Sequence, residues 1–188
     1  LLQCEGLKFI YEEARRQKPF CSMALSWCYQ EPWPTAANNS LINWPNEVKP
    51  AYHHVTKACR PILASARIPK FEWSAGEHFS CDLFMLNDAY RSLEKSSMEV
   101  VLQYDDKEML LMRWDCPASD DFRNVEGPTA TAVIPEMERD LFTLSIRVAG
   151  KPEYNSSYLL YYSGNNSKRA LPSEAYYKGE TEFTYNNN

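Results

Sequence analysis

The sequence predicts a mainly β chain: an immunoglobulin-like β-sandwich over residues 62–188, preceded by a helix–strand–helix segment over residues 1–61. Three observations lead there. The texture changes near residue 60, from helical spacing and loop to short alternating runs. About seven such runs follow Ile62, separated by regular turn signals, as in a two-sheet sandwich. Before them lies an uncharged run between two helix-like stretches.

Leu7, Ile10, Tyr11 and Ala14 recur at i, i+3, i+4 and i+7, which predicts an amphipathic helix with these residues as its stripe. Arg15, Arg16 and Lys18 suit the negative end of its dipole, and Pro19 stops it. Residues 20–27, from Phe20 to Trp27, carry no charge and read as a strand buried on both faces, as in parallel sheets. A loop rich in Pro, Asn and Trp runs from Gln30 to Asn46. A second helix is expected from about Val48, with Pro50 in its first turn, Tyr52, Val55 and Cys59 as its buried stripe, and Pro61 as its stop.

The expected strands are Ile62–Pro69, His78–Asn87, Ser97–Tyr104, Glu108–Asp115, Ala130–Ile134, Leu141–Ala149 and Ser157–Tyr162. Phe142, Leu144, Ile146 and Val148 share one parity and so one face. Asp105-Asp106-Lys107 reads as a hairpin loop. The tail ending Tyr185-Asn186-Asn187-Asn188 is polar and expected to fray.

With 188 residues and 44% hydrophobic composition the chain can bury a core. The net charge of -5, without a basic cluster, argues against a nucleic-acid partner. The apolar runs are too short to cross a bilayer as helices, so no membrane partner is expected. The start, Leu1-Leu2-Gln3-Cys4, reads as a cut inside a longer polypeptide. A lone strand between two helices has no sheet partner, so residues 1–60 are expected to pack on the sandwich or to self-associate through the edge of residues 21–27.

Cys4, Cys21, Cys28, Cys59, Cys81 and Cys116 form no CxxC and fit neither a zinc site nor a disulfide scaffold; they read as buried free thiols. His53 and His54 are adjacent, not i, i+4, so no metal pair is expected there, and His78 reads as equally bland. No phosphate loop or G-x-S-x-G occurs, and no metal or cofactor is expected. Glu12-Glu13 and Asp120-Asp121 read as solvated charge pairs. Asn38, Asn155 and Asn165 start Asn-x-Ser sequons, which matter only in a eukaryotic secretory protein.

The densest chemical signal is Leu25-Ser26-Trp27-Cys28-Tyr29-Gln30-Glu31-Pro32-Trp33-Pro34. Trp27 and Trp33 offer flat faces for the C–H side of a pyranose; Gln30 and Glu31 offer hydrogen bonds to hydroxyls. The alternative is that the tryptophans only fill space, and that Glu31 has an N-cap or surface role.

This stretch, with Asn43-Trp44, Lys49-Pro50-Ala51-Tyr52 and Ile68 to Glu77, resembles glycoside hydrolase family 2, in its β-mannosidase-like members. The family's Gln after the first Trp is Cys28 here, its Asn-Asp pair is Gln30-Glu31, and Pro32 precedes the second Trp. The resemblance implies that residues 1–61 are the last part of a (β/α)8 barrel and that Trp27, Gln30, Glu31 and Trp33 are substrate-binding at the end of its last strand. It implies a retaining mechanism with two glutamates about 5 Å apart, both preceding Leu1, so no catalytic residue is expected in this chain. The implied partner is a β-linked glycan, and the longer protein is expected to be periplasmic or secreted, from a bacterium. Two rival readings stand beside it. The sandwich binds carbohydrate through exposed rings among Trp73, Trp114 and Tyr158 to Tyr162, or it is an adhesion domain with a helical preface.

Overall fold

A computed structural model of the chain describes residues 2–35 and 38–164. Its elements in order are α1 (Leu2–Arg16), β1 (Ile42–Asn43), β2 (Glu47–Val48), α2 (Pro50–Ala58), β3 (Ile62–Arg67), β4 (Glu72–Trp73), β5 (His78–Asn87), β6 (Ser96–Tyr104), β7 (Lys107–Cys116), β8 (Val125–Val133), β9 (Leu141–Val148) and β10 (Ser156–Tyr162). The polar tail and the Asn165 sequon lie outside the described residues.

From β3 to β10 the chain is a β-sandwich. One sheet has the order β3-β5-β8 and the other β4-β10-β9-β6-β7. All neighbours are antiparallel except β4 and β10. Both inner faces feed one core. Phe79, Leu83 and Met85 from one sheet meet Met98, Val100, Leu102, Phe142, Leu144 and Ile146 from the other. The four same-parity residues of β9 are all buried, as their alternation requires. Asp105 and Asp106 have φ of 45° and 62°, the left-handed pair that a tight two-residue hairpin turn needs. Lys107 therefore belongs to β7, opposite Tyr104.

Two strands of the sandwich differ from expectation, and residues 42–48, expected as loop and helix start, form the short hairpin of β1 and β2. The short β4 carries too few residues to show a period. β8 begins at Val125, five residues earlier than Ala130, and carries Gly127 and Pro128 inside an edge strand. The register against β5 shifts between Asp82 and Phe84 there, and an irregular edge tolerates proline's missing N–H. Gly127 has a second reason. A Cβ on it would lie 2.6–2.8 Å from the Trp114 indole of the facing sheet. Gly127→Ala is expected to lower stability by about 1–3 kcal/mol through overpacking, read as a fall in the urea midpoint with unchanged slope. An unchanged midpoint would mean that the indole moves freely.

The N-terminal part departs further. α1 forms, but its apolar stripe is only one of two packed faces. Cys4 and Leu41, Ala51 and Val55 make a small second core, with Leu7 and Tyr11 packed against it, while Ile10 stays exposed. The other face is charged and buried: Glu5, Lys8, Glu12 and Arg16. The expectation that Glu12-Glu13 is solvated fails, because this face lies on the seam where β3 meets β10.

Each charge there has a partner. Glu12 accepts hydrogen bonds from Ser65 Oγ and Tyr158 Oη, both at 2.6 Å, and pairs with Lys8 at 2.9 Å and Arg16 at 3.4 Å. The Tyr158 hydroxyl also accepts from the Ala66 amide at 2.8 Å, and the Lys8 ammonium sits 3.2 Å above the Tyr158 ring. Glu13 is gripped by Arg67 and Arg16 at 2.9 Å. Partial burial pushes its carboxyl pKa up, but the Arg67 and Arg16 hydrogen bonds outweigh that and bring it to about 2.

Arg15 does more than face the dipole. It donates to Asp88 at 2.6 Å, to the Pro61 carbonyl at 3.0 Å, and to the Ala58 carbonyl that ends α2. Lys18 reaches the Asn87 carbonyl at 2.8 Å. α1 therefore packs on the sandwich, one of the two arrangements expected. In α2 the buried stripe is Ala51, Val55 and Ala58; Cys59, one position on, is exposed. Of the six thiols only Cys4, Cys81 and Cys116 are buried, and all six are free. Burial pushes the Cys81 thiol up to about 12.

The strand expected over residues 20–27 does not form. The chain there is extended but pairs with no strand, and no main-chain hydrogen bond among the described residues involves 22–28. An uncharged sequence of this kind needs strands on its edges, and the described residues place none beside it.

Candidate functional site

Residues 20–49 carry the expected constellation, and hydrogen bonding divides it into two halves. In the first half the side chains alternate. Met23, Leu25, Trp27 and Tyr29 are exposed, Leu25 and Trp27 at 86% and 85%, while Ala24, Ser26 and Cys28 are half-buried. This is strand periodicity in a segment without sheet partners. Phe20 is exposed as well.

In the second half the chain folds back on itself. Tyr29 O accepts from the amides of Leu41 and Ile42, and the Glu31 amide donates to Ile42 O at 3.0 Å. The Gln30 side-chain amide donates to Pro45 O at 3.0 Å and to Asn46 Oδ1 at 2.9 Å. Glu31 is buried, at 5% exposure. It accepts from Ser40 Oγ at 3.1 Å, from the Trp44 amide at 3.2 Å and from Lys49 Nζ at 3.4 Å. Burial pushes the Glu31 carboxyl up, but those three donors outweigh it and hold its pKa below the ordinary value. Lys49 also donates to Asn38 O and Ser40 Oγ, both at 2.9 Å.

The four expected binding residues thus fall into two kinds. Trp27 and Trp33 present their rings to solvent, whereas Gln30 and Glu31 spend their polar groups on residues 38–49. Trp44 is a further exposed ring, at 48%. Sequence reasoning passed over Ser40 and the pairing of Lys49. The signal was there: Glu31 is the single charge between Lys18 and Glu47. A lone carboxylate in such a stretch needs a cation or several donors once buried.

The sandwich offers no comparable rings from its expected candidates. Trp73, Trp114, Tyr158 and Tyr162 are buried, and Tyr161 is just exposed. An open groove of about 500 Å³, lined by Ser92, Leu93, Ser119, Asp120, Arg123 and their neighbours, shares no residue with the 20–49 constellation. His53 and His78 are exposed, and His54 lies 3.4 Å from Glu5. Asn38 and Asn155 spend their side-chain oxygens on main-chain amides, those of Ser40 and Val148. Among the described residues no His, Cys, Asp and Glu group is arranged to hold a metal, and no helix is long and apolar enough to cross a membrane.

No family model and no curated protein matches the chain. Solved structures similar to it include the CARDB domain of PF1109 from Pyrococcus furiosus, with TM-score 0.39 and 7% identity over 54% of this chain and 94% of that one. A β-glucosidase from Listeria innocua in complex with gluconolactone is similar at TM-score 0.41 and 12% identity, over 55% of this chain but 16% of its own. The alkylpurine DNA glycosylase AlkC from Pseudomonas fluorescens is similar at TM-score 0.39 and 9% identity, over 58% of this chain and 32% of that one. Similarity of this size carries no argument about activity.

Proposed function

We propose that the chain is the C-terminal part of a retaining, β-mannosidase-like glycoside hydrolase, acting on terminal β-mannosides or related β-glycosides. In this reading α1, residues 20–29 and α2 complete a (β/α)8 barrel, and the sandwich, of immunoglobulin-like type, supports it. The observation that carries the reading is the uncharged, alternating segment 22–28, which makes no main-chain hydrogen bond among the described residues. Barrel strands give their main chain to neighbours on both sides and their side chains to apolar layers. Active sites form at the C-terminal ends of such strands, which assigns Trp27 and Trp33 to one wall of a sugar pocket. Two catalytic glutamates, about 5 Å apart, would come from residues preceding α1. Where those preceding strands are missing, a second copy of the chain covers the segment.

A second reading keeps the sugar and drops the chemistry: a non-catalytic carbohydrate-binding or structural module. The exposure of Trp27 and Trp33 favours binding, and the burial of Trp73 and Trp114 removes the sandwich face from it.

Hydrolysis of p-nitrophenyl β-mannoside, by this chain and by the full-length gene product that contains it, separates the readings. The expected result is turnover by the full-length protein and none by the chain. Turnover by the chain alone would place catalytic carboxylates inside it and overturn the assignment. No turnover of β-mannoside, β-glucoside or β-galactoside by the full-length protein would leave the module.

A further inference from the structure

We propose that Glu31 is a positioning residue: clasped by Lys49, Ser40 and the Trp44 amide, it fixes the residues that present Trp33 and Trp44 to a neutral sugar. The inference rests on the sugar-site reading above and assigns Glu31 a task other than touching the ligand.

The geometry is that of a tie. Glu31 Oε1 accepts from Ser40 Oγ and Lys49 Nζ, and Oε2 accepts from the Trp44 amide. One side chain thereby holds residues 40, 44 and 49. Lys49 closes the tie from the far side, onto Asn38 O and Ser40 Oγ. Ser40 is fully buried between them. Trp33 lies two positions after Glu31, and Trp44 carries the amide that Glu31 holds, yet both rings are exposed. A large aromatic held in water on a fixed main chain is costly to expose and cheap to stack, which suits a pyranose face.

Charge decides the class of sugar. An ammonium has three donors, and those of Lys49 go to Asn38 O, Ser40 Oγ and Glu31 Oε1. None remains for a ligand carboxylate. Glu31 is the one charge in residues 19–46, and it is buried. The surface offered is rings with the Asn39 and Asn46 side chains, both exposed. It suits a neutral hexoside and gives a uronate nothing to pair with.

The test uses the full-length gene product that contains the chain and two non-hydrolysable probes, the thio-linked analogues of β-1,4-mannobiose and of a β-glucuronide, with binding followed by calorimetry and loop rigidity by amide exchange of residues 38–49 read by mass spectrometry. Wild type is expected to bind mannobiose and to reject the glucuronide. Trp33→Ala should abolish binding with exchange unchanged. Glu31→Ala should speed exchange and weaken binding about tenfold or more, the loss of roughly one well-made charged hydrogen bond. Glu31→Gln, which keeps the shape, should recover part of the binding. Glu31→Ala with wild-type affinity overturns the positioning role while the sugar site stands. Failure of wild type to bind mannobiose overturns the sugar-site reading, and fast exchange in Glu31→Ala still shows the tie. Glucuronide binding equal to mannobiose overturns the selection for neutral sugars.

Discussion

Purified alone, the chain is expected to self-associate, and the double substitution Leu25→Lys, Trp27→Lys to return it to a monomer. Met23, Leu25, Trp27 and Tyr29 stand exposed on one side of an extended, uncharged segment whose amides and carbonyls at 22–28 make no main-chain hydrogen bonds among the described residues. Covering such side chains is worth about 1.5–3 kcal/mol each, and the edge adds a hydrogen-bond ladder that a second extended strand can complete. Identical uncharged strands can lie side by side without repulsion, whereas lysines at 25 and 27 place like charges across the pair. The two positions touch little else within the chain, so the thermal stability of the double variant should match that of the wild-type chain diluted to the monomer. Light scattering after size exclusion, over a roughly hundredfold concentration range, reads the outcome. A wild-type chain that stays monomeric at the top of that range, with residues 22–28 ordered, would sink the pairing.

Removing Glu12 is expected to cost about 3–5 kcal/mol, the usual penalty for orphaning a buried charge network. Glu12→Ala strands the buried Lys8 ammonium and takes the acceptor from the buried Tyr158 hydroxyl, while Arg16 keeps Glu13 and the Ala66 carbonyl. For a domain whose total stability is about 5–15 kcal/mol, that loss detaches α1 or unfolds the chain. Tyr158→Phe is milder, about 1–3 kcal/mol, because it leaves the Ala66 amide and one Glu12 lone pair unsatisfied.

The same network sets a pH dependence. Burial pushes the Glu12 carboxyl up, but Lys8, Ser65 and Tyr158 outweigh it, so its folded pKa lies below the ordinary 4.5; Glu13 lies at about 2. A depressed folded pKa stabilises the fold above the unfolded value, and that contribution is lost as pH falls through the folded one. Stability should therefore fall between about pH 4.5 and pH 2. Urea midpoints across that window check it. A cost below about 1 kcal/mol for Glu12→Ala would mean that water reaches the seam.

The sandwich was legible because its rules are local. β9 alternates residue by residue, His78–Asn87 is bounded by turn signals, and Asp105-Asp106 carries its own turn chemistry. β8 was misjudged at Gly127 and Pro128, since only the Trp114 indole across the sandwich explains the glycine. The α1 stripe was half legible. Leu7 and Tyr11 obey helical periodicity, but Glu12 is buried by Ser65 and Tyr158, and nothing near residue 12 announces them. At the site, Trp27 and Trp33 could be picked out by chemistry alone. The isolation of Glu31 as a lone charge signalled that it needs donors once buried, but which donors could not be read, because residues 40, 44 and 49 come from a stretch with no period. The segment 20–27 has the composition of a strand, and strands need neighbours that composition cannot supply.

The bond between Glu12 and Tyr158 spans 146 positions. A ribosome adds about 5–20 residues per second, so α1 waits roughly 7–30 seconds after leaving the tunnel before its last partner is made. During that interval Lys8, Glu12 and Arg16 keep the nascent helix hydrated, and the face that ends as the most buried part of α1 begins as its most soluble. An apolar face there would spend those seconds seeking other partners. Stopping synthesis before β10 would leave α1 without Tyr158 and the seam open, so the last described strand acts as the latch on the first helix.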